Sequence, residues 1–188
     1  MKTIISLAFI LMFHLHAFGQ PQIVLSGGYT FGKVADGGPQ VGGYKFSGTF
    51  ERIMPDEHWA IGGTFGYMAV TESEGPVGTR FSALPLLFTP KYFVGKGKKY
   101  SDGKGKAKGY IKGAFGLQNS RFKFDTPIGA SQDWDFGLVY GGGVGVNYDA
   151  NEKVFINFEY EYLLINNSAY KSVTCNTFAL GVGFKLQD

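Results

Sequence analysis

Few side chains in this chain have the chemistry of a catalytic centre, and they lie far apart in the sequence. Of three histidines, only His58 lies beyond the first 20 residues, and Cys175 is the single cysteine. No Gly-x-Ser-x-Gly motif is present to form a nucleophile elbow, and one histidine with one cysteine does not make a zinc site. We therefore expect no enzyme activity, no metal and no cofactor, and we interpret His58 as a polar residue beside Trp59 near a turn.

A lysine-rich segment from Gly95 to Gly109 is the strongest local charge feature, but it lacks the Gly-Lys-Ser/Thr ending of a phosphate-binding loop. We interpret it as a solvated hairpin tip, and electrostatic contact with anionic lipid headgroups or periplasmic partners stays open as an alternative. The formal charge is +3, and loss of Lys2 with a signal peptide would leave +2. The six lysines of this segment exceed the net charge of +2, so the rest of the mature chain is mildly acidic. A nucleic-acid-binding function is therefore not indicated.

The N-terminus has the pattern of a secretion signal. Lys2 precedes an apolar run over residues 4–13 that is too short to cross a bilayer as a helix. Ala17 and Gly19 supply the small residues of a signal peptidase site, so we predict cleavage after Gly19, with residues 1–19 as signal peptide and 20–188 as the mature domain. A lone cysteine excludes an intramolecular disulfide, and Gln20 in place of a cysteine argues against a lipid anchor.

Apolar and polar residues alternate along much of the mature chain. The clearest segment runs from Lys153 to Ile165, where the even positions are apolar while Asn157, Glu159 and Glu161 occupy the other face. This is the period of a β-strand, over the length that a tilted transmembrane strand needs. The C-terminal segment, residues 178–186, repeats the pattern. Since no second layer is evident to cover these apolar faces, we expect them to contact lipid.

Six further segments alternate in the same way, and the fourth of these is the weakest because Pro85 and Pro90 interrupt it. With 29 glycines, 18 phenylalanines and 11 tyrosines, the composition also favours strands, and no segment has the pattern of an amphipathic helix. The sequence thus predicts an all-β protein, an eight-stranded antiparallel up-and-down transmembrane β-barrel. The six segments are residues 23–33, 41–54, 58–71, 80–94, 110–122 and 134–148.

The alternation also assigns side chains to the two faces of the barrel. Inward glycines at positions 137, 141, 143 and 145 permit either a packed seam or a cavity along one wall. The polar side chains that we expect to form a network in a largely filled, polar lumen are Lys45, Glu51, Lys112, Glu159, Glu161 and Lys185. The aromatic residues expected at the membrane interfaces are Trp59, Tyr148 and Tyr162 at one rim, and Tyr29, Tyr44 and Trp134 at the other.

Connection lengths predict the orientation of the barrel. Short turns at residues 54–57 and 149–152 are typical of the periplasmic side, whereas the longer connections are typical of the outside. The strand count places the lysine-rich segment on the periplasmic side despite its length. The longer connections expected outside are residues 34–40, 72–79, 124–133 and 166–173.

Three stretches together resemble the outer-membrane β-barrel family common in Bacteroidetes, a porin-family-like part of the wider OmpA/OmpX-like group of small barrels. They are residues 17–20 (Ala-Phe-Gly-Gln), residues 84–87 (Leu-Pro-Leu-Leu) and the alternating C-terminal strand. The resemblance implies a location in the bacterial outer membrane, contact with outer-membrane lipids and insertion by the barrel assembly machinery. It leaves any extracellular loop ligand unidentified.

The sequence is compatible with three functions. The favoured one is a non-enzymatic barrel with a structural or surface-interaction role and a mostly filled lumen. The second is a narrow channel for small or hydrophobic solutes. The third, a secreted lipocalin-like carrier, is disfavoured because the chain lacks the Gly-x-Trp opening of lipocalins and has aromatic residues on the outer face of the predicted strands.

Overall fold

The computed structural model describes residues 19–33, 40–74, 77–94, 106–126, 129–167 and 171–186. The predicted signal peptide up to residue 18 and most of the lysine-rich segment lie outside these ranges. Within them, no helix is long and apolar enough to cross a membrane.

The described residues form one antiparallel sheet of nine strands, each hydrogen-bonded to its neighbours. Consecutive strands pair with each other nearly throughout, which is the up-and-down order that the sequence predicts. The strands are β1 (Gln20–Lys33), β2 (Gln40–Ile53), β3 (Trp59–Glu74), β4 (Val77–Phe88), β5 (Lys91–Val94), β6 (Ala107–Thr126), β7 (Gly129–Asp149), β8 (Val154–Asn167) and β9 (Lys171–Lys185).

The sheet closes into a barrel because its first strand pairs with its last. β1 is hydrogen-bonded to β2 on one side, with Tyr29 opposite Tyr44, and to β9 on the other, with Tyr29 opposite Phe178. Closure lets each strand satisfy its backbone groups on both sides inside a membrane, where water cannot do so. It also removes the open edges that would pair with other chains.

β4 and β5 together are one strand of this barrel. Both pair with β3 on one side and β6 on the other, and the register continues unchanged from Gly63 opposite Phe88 to Trp59 opposite Tyr92. The interruption falls at Pro90, which has no N–H to donate to the ladder. Counting β4 and β5 as one, the nine strands make eight, which confirms the predicted eight-stranded antiparallel barrel.

Burial alternates along the strands as the pattern of the sequence predicts. On β8, Phe158 is 55% exposed, whereas its neighbours on the opposite face, Asn157 and Glu161, are 2% and 1% exposed. On β9, Phe178 and Val182 are exposed in the same way. Large apolar side chains therefore cover the outside of the barrel, where lipid replaces a second protein layer.

Strands β6 and β7 are longer than predicted, at 20 and 21 residues. They pair from Ala107 opposite Tyr148 to Thr126 opposite Gly129, whereas β7 pairs with β8 only from Leu138 onwards. We call residues 118–126 and 129–137 the raised hairpin. The prediction of loops at 72–79, 124–133 and 166–173 was therefore wrong for most of these residues. Strands that continue into water need no apolar face, so their sequence lacks the alternation that identifies a strand in the membrane.

Candidate functional site

Buried charges cross the lumen in the half of the barrel nearer the short turns. Lys112 on β6 forms ion pairs with Glu159 at 2.5 Å and with Glu161 at 2.6 Å, both on β8. Lys45 reaches Glu161 from β2, on the other side of the lumen. Glu161 thus holds two lysines at once, and these contacts join strands that are not neighbours in the sheet.

A second cluster lies beside the first and connects to it. Lys91 on β5 pairs with Glu51 on β2 at 2.7 Å, and Gln22 donates a hydrogen bond to the same carboxylate. Lys91 also lies over the ring of Tyr110, 4.8 Å from its centroid. The Tyr110 hydroxyl in turn donates to Glu159 at 2.7 Å, so one tyrosine links the two clusters.

A third ion pair, Lys185 with Asp149 at 2.7 Å, lies close to the turn between β7 and β8. Four lysines and four carboxylates are paired in this way within the described part of the chain, so their charges balance. A buried charge without a partner would cost several kcal/mol, which explains the balance. We call this set the charged network: Lys45, Glu51, Lys91, Lys112, Asp149, Glu159, Glu161 and Lys185.

All six lumen residues proposed from the sequence lie in the charged network, but two of its members escaped sequence reasoning. Lys91 follows Pro90 in the interrupted strand, and Asp149 looked like the first residue of a turn. Continuing the alternation through Pro90 would have placed Lys91 on the inner face, because the strand keeps its register there.

Two of the inward glycines, Gly143 and Gly145, face bulky side chains, so the wall is a packed seam at these positions. A Cβ on Gly145 would lie 2.4 Å from the ring of Tyr110, and one on Gly143 would lie 3.2 Å from the Cε of Lys112. Glycine is therefore what allows these two long side chains to lie flat against β7.

The outer half of the lumen is filled differently, by a cluster of buried apolar side chains. At its centre the rings of Phe81 and Phe122 lie 4.8 Å apart between their centroids. The prediction of a polar lumen was wrong for this half, because its inward positions carry large apolar side chains, including Phe81 and Phe122, whose outward neighbours are polar. We call this cluster the apolar plug: Val41, Met68, Val70, Phe81, Ala83, Leu87, Ala114, Phe122, Val139, Leu163, Ile165, Val173 and Cys175.

His58 and Cys175, the residues with catalytic potential, are at opposite ends of the barrel. His58 lies in the turn before β3, with its ring 6.0 Å from that of Tyr92. Cys175 is fully buried in the apolar plug. In the described ranges, no three His, Cys, Asp or Glu side chains come together as a metal site would require.

The outward aromatic residues lie near both ends of the apolar surface, with one difference from the prediction. Tyr162 was expected at the same rim as Trp59 and Tyr148, but this was wrong. In the sheet Tyr162 lies opposite Asn176, which lies opposite Phe31 near the outer end of β1. Six aromatic residues were expected at the interfaces, and each is 39% to 61% exposed: Tyr29, Tyr44, Trp59, Trp134, Tyr148 and Tyr162.

The family model described as "Outer membrane protein beta-barrel domain" matches residues 5–185, nearly the whole chain. The chain belongs to this outer-membrane β-barrel family. Membership of the family, together with the closed barrel, places the protein in the bacterial outer membrane. No curated protein sequence matches the chain.

Solved structures show that this family member shares its fold with small barrels of low sequence identity. Neisserial surface protein A has a TM-score of 0.63 at 16% identity, covering 88% of this chain and 97% of its own. Ail, the attachment invasion locus protein of Yersinia pestis, has a TM-score of 0.59 at 18% identity, covering 90% and 99%. Ail in complex with the heparin analogue sucrose octasulfate has a TM-score of 0.55 at 18% identity, covering 89% and 99%.

Proposed function

We propose that this protein is a closed, non-enzymatic barrel whose role is exercised at the cell surface. The observation that carries the proposal is the filled lumen. Solutes would have to pass both the apolar plug and the charged network, and an eight-stranded barrel has an interior only about as wide as its own side chains.

Opening such a lumen would be costly in both halves. A path through the outer half would separate tightly packed rings such as Phe81 and Phe122 and expose them to water. A path through the inner half would break ion pairs such as Lys112 with Glu161, which leaves buried charges without partners. These two costs support a structural or surface role over the channel alternative.

The raised hairpin is the element that we propose for surface interaction. Its residues 129–137, beyond the pairing of β7 with β8, extend about 30 Å along the strand direction, so the tip of the hairpin reaches past the interface where Trp134 lies. The side chain of Trp134 on this hairpin is 60% exposed. The names of the two similar barrels, a surface protein and an attachment invasion locus protein, support such a role, and the partner of this chain is unidentified.

The proposal includes a route to the membrane. We propose that the signal peptide is cleaved after Gly19, that the barrel assembly machinery inserts the mature chain, and that outer-membrane lipids surround it. We further propose that the protein belongs to the type of outer-membrane barrel common in Bacteroidetes. The stretch Leu84 to Leu87 and the alternating last strand support this affiliation.

Planar bilayer recording tests the closed lumen. We expect the refolded protein to show little or no steady conductance, and the protein should migrate faster on a denaturing gel before boiling than after it. A large and stable conductance from the unmodified protein would replace this proposal with the channel. Recovery in a soluble fraction, without the gel shift, would favour the lipocalin-like carrier instead.

Cysteine labelling on intact cells tests which end of the barrel is outside. Ser131→Cys puts a thiol on the raised hairpin, and Asn151→Cys puts one on the turn between β7 and β8, where both residues are exposed. A membrane-impermeant maleimide should label the first variant and spare the second, while the native Cys175 is buried and serves as the background. Labelling of Asn151→Cys alone would invert the orientation and withdraw the surface role of the hairpin.

A further inference from the structure

Two arginines face outward on neighbouring strands just beyond the apolar surface. Arg121 on β6 lies opposite Ser82 of β4, and Arg80 lies two residues further along β4, opposite Lys123. Both arginines share the outward face with Leu84 and other exposed apolar side chains. The two arginines are therefore diagonal neighbours, with Cα atoms about 7 to 8 Å apart and Cβ atoms somewhat closer.

Arg80 is held by aromatic hydroxyls. Its Nη2 donates hydrogen bonds to the Oη of Tyr44 at 3.3 Å and of Tyr67 at 3.4 Å. The two tyrosine rings lie 6.1 Å apart, so they form a platform on which the exposed guanidinium rests. Phenol hydroxyls orient the cation without neutralising its charge.

Arg121 is held in a similar way by neutral groups. Its guanidinium lies over the ring of Trp134, 5.5 Å from the centroid, and its Nη2 donates to the side-chain oxygen of Gln132. Its Nε has no hydrogen-bond partner among the described residues. Arg121 therefore keeps its full charge beside neutral groups.

The depth of this pair in the membrane follows from the strand that carries Arg80. The outward residues from Leu84 to Val94 are mostly apolar, and the segment has the length that a tilted strand needs to cross the membrane. Arg80 lies four residues beyond Leu84, about 13 Å along the strand and about 10 Å along the membrane normal at the usual tilt. This is the level of the lipid headgroups.

We propose that Arg80 and Arg121 form a binding site for the phosphate group of an outer-leaflet lipid. Because Arg80 and Arg121 are diagonal neighbours, their repulsion is weaker than that of like charges directly opposite each other, and a phosphate between them would relieve it. Guanidinium groups recognise phosphate oxygens through paired hydrogen bonds. The site borders the apolar surface around Leu84, which would contact the acyl chains, so a phosphate carried by a lipid fits better than a free one.

Native mass spectrometry of the folded barrel in a neutral detergent tests the site. The probes are lipid A, chemically dephosphorylated lipid A and inorganic phosphate, each added at the same concentrations. We expect the unmodified protein to retain lipid A, and the double variant Arg80→Gln/Arg121→Gln to bind it at least about tenfold more weakly, since each lost charge-assisted hydrogen bond is worth about that factor.

Lys33→Gln is the matched control, because Lys33 is an exposed cation at the same end of the barrel on β1. It should bind lipid A like the unmodified protein, and the heat-dependent gel shift of each variant shows that it is folded. Three results would each overturn the site: equal retention of dephosphorylated lipid A, equal binding by the double variant, or a loss with Lys33→Gln as large as with the double variant. Competition by millimolar inorganic phosphate would overturn the lipid as the source of the phosphate.

Discussion

Both halves of the lumen are buried, but the outer half is filled mainly by apolar side chains, whereas the inner half holds the charged network beside a smaller apolar cluster. In the outer half, Phe81 and Phe122 pack ring against ring at 4.8 Å in the apolar plug. In the inner half, Lys112 lies between Glu159 and Glu161 in the charged network. The same inward face of the same strands therefore closes the barrel by dispersion and apolar burial at one end and by ion pairing at the other.

The stability of the two halves depends on their side chains in different ways. Apolar packing is shared among many contacts, so the loss of one side chain costs its own burial and the cavity that remains. Removal of one partner of a buried ion pair costs more free energy, because the other partner stays charged and desolvated. Replacing both partners together can be nearly neutral. Substitutions in the two halves should therefore differ in their cost to stability.

Removing both carboxylates that hold Lys112 should be the most damaging change. We expect Glu159→Ala/Glu161→Ala to lower the free energy of unfolding by about 5 kcal/mol, because Lys45 and Lys112 lose their partners. Denaturant titration of the refolded barrel measures it. Glu159→Gln/Glu161→Gln is the matched variant, with the same side-chain size and no charge. If all three proteins unfold together, the network does not stabilise the inner half.

Truncation in the apolar plug should cost somewhat less. Phe81→Ala should lower the free energy of unfolding by about 4 kcal/mol through lost burial and a residual cavity, since Phe81 is completely buried. The control Phe81→Leu should cost less than about 1.5 kcal/mol, because it keeps the site apolar and largely filled. Equal unfolding curves for Phe81→Ala and the unmodified protein would mean that the plug is loosely packed.

A cation on the lipid-facing surface gives a third cost in unfolding free energy, which can be compared with the costs in the two lumen halves. Phe158→Arg and Val182→Arg put a cation on the lipid-facing surface of β8 and β9, where we expect a cost of about 3 kcal/mol near mid-membrane. Ser131→Arg on the raised hairpin should change the free energy of unfolding by less than about 0.5 kcal/mol. Refolding titrations in lipid vesicles that find all three variants equally stable would contradict the facing of β8 and β9.

The smallest effect should come from replacing a whole ion pair. Lys45→Met/Glu161→Gln removes one positive and one negative charge together, while Lys112 keeps Glu159. The unfolding free energy should then change by no more than about 1 kcal/mol. Glu161→Gln alone should cost more than the double variant. If the single and double variants cost the same, Lys45 and Glu161 are not energetically coupled.

Much of the barrel could be predicted from local pattern, and the errors have physical causes. Alternation on β8 placed Glu159 and Glu161 inside and Phe158 outside, because adjacent side chains of a strand point to opposite faces. The ends of β6 and β7 were misjudged because a strand in water shows no apolar face. Tyr162 was assigned to the wrong rim because its position along the barrel axis depends on the register of β8 with β7 and β9.

Local pattern also missed the division of the lumen. Val139 is apolar on the inward face and its outward neighbours Leu138 and Tyr140 are apolar too, whereas Phe81 lies between the polar residues Arg80 and Ser82, so alternation alone does not show that both residues fill the lumen. Only the closed barrel brings these side chains from β4 and β7 into one cluster. Six of the eight members of the charged network were predicted, and the other two were missed for a different reason, since Lys91 follows a proline and Asp149 lies at a predicted turn.

By itself, the sequence determined that the chain forms alternating strands and which face of most strands is polar, since strand periodicity depends only on neighbouring residues. The tertiary structure alone decided the partners across the lumen. Lys45 and Glu161 are 116 residues apart in the sequence. They meet because the closure of β1 on β9 and the stagger between strands place them at the same level along the barrel axis. Register is a property of paired strands, so no single strand carries the information that places a lysine opposite its carboxylate.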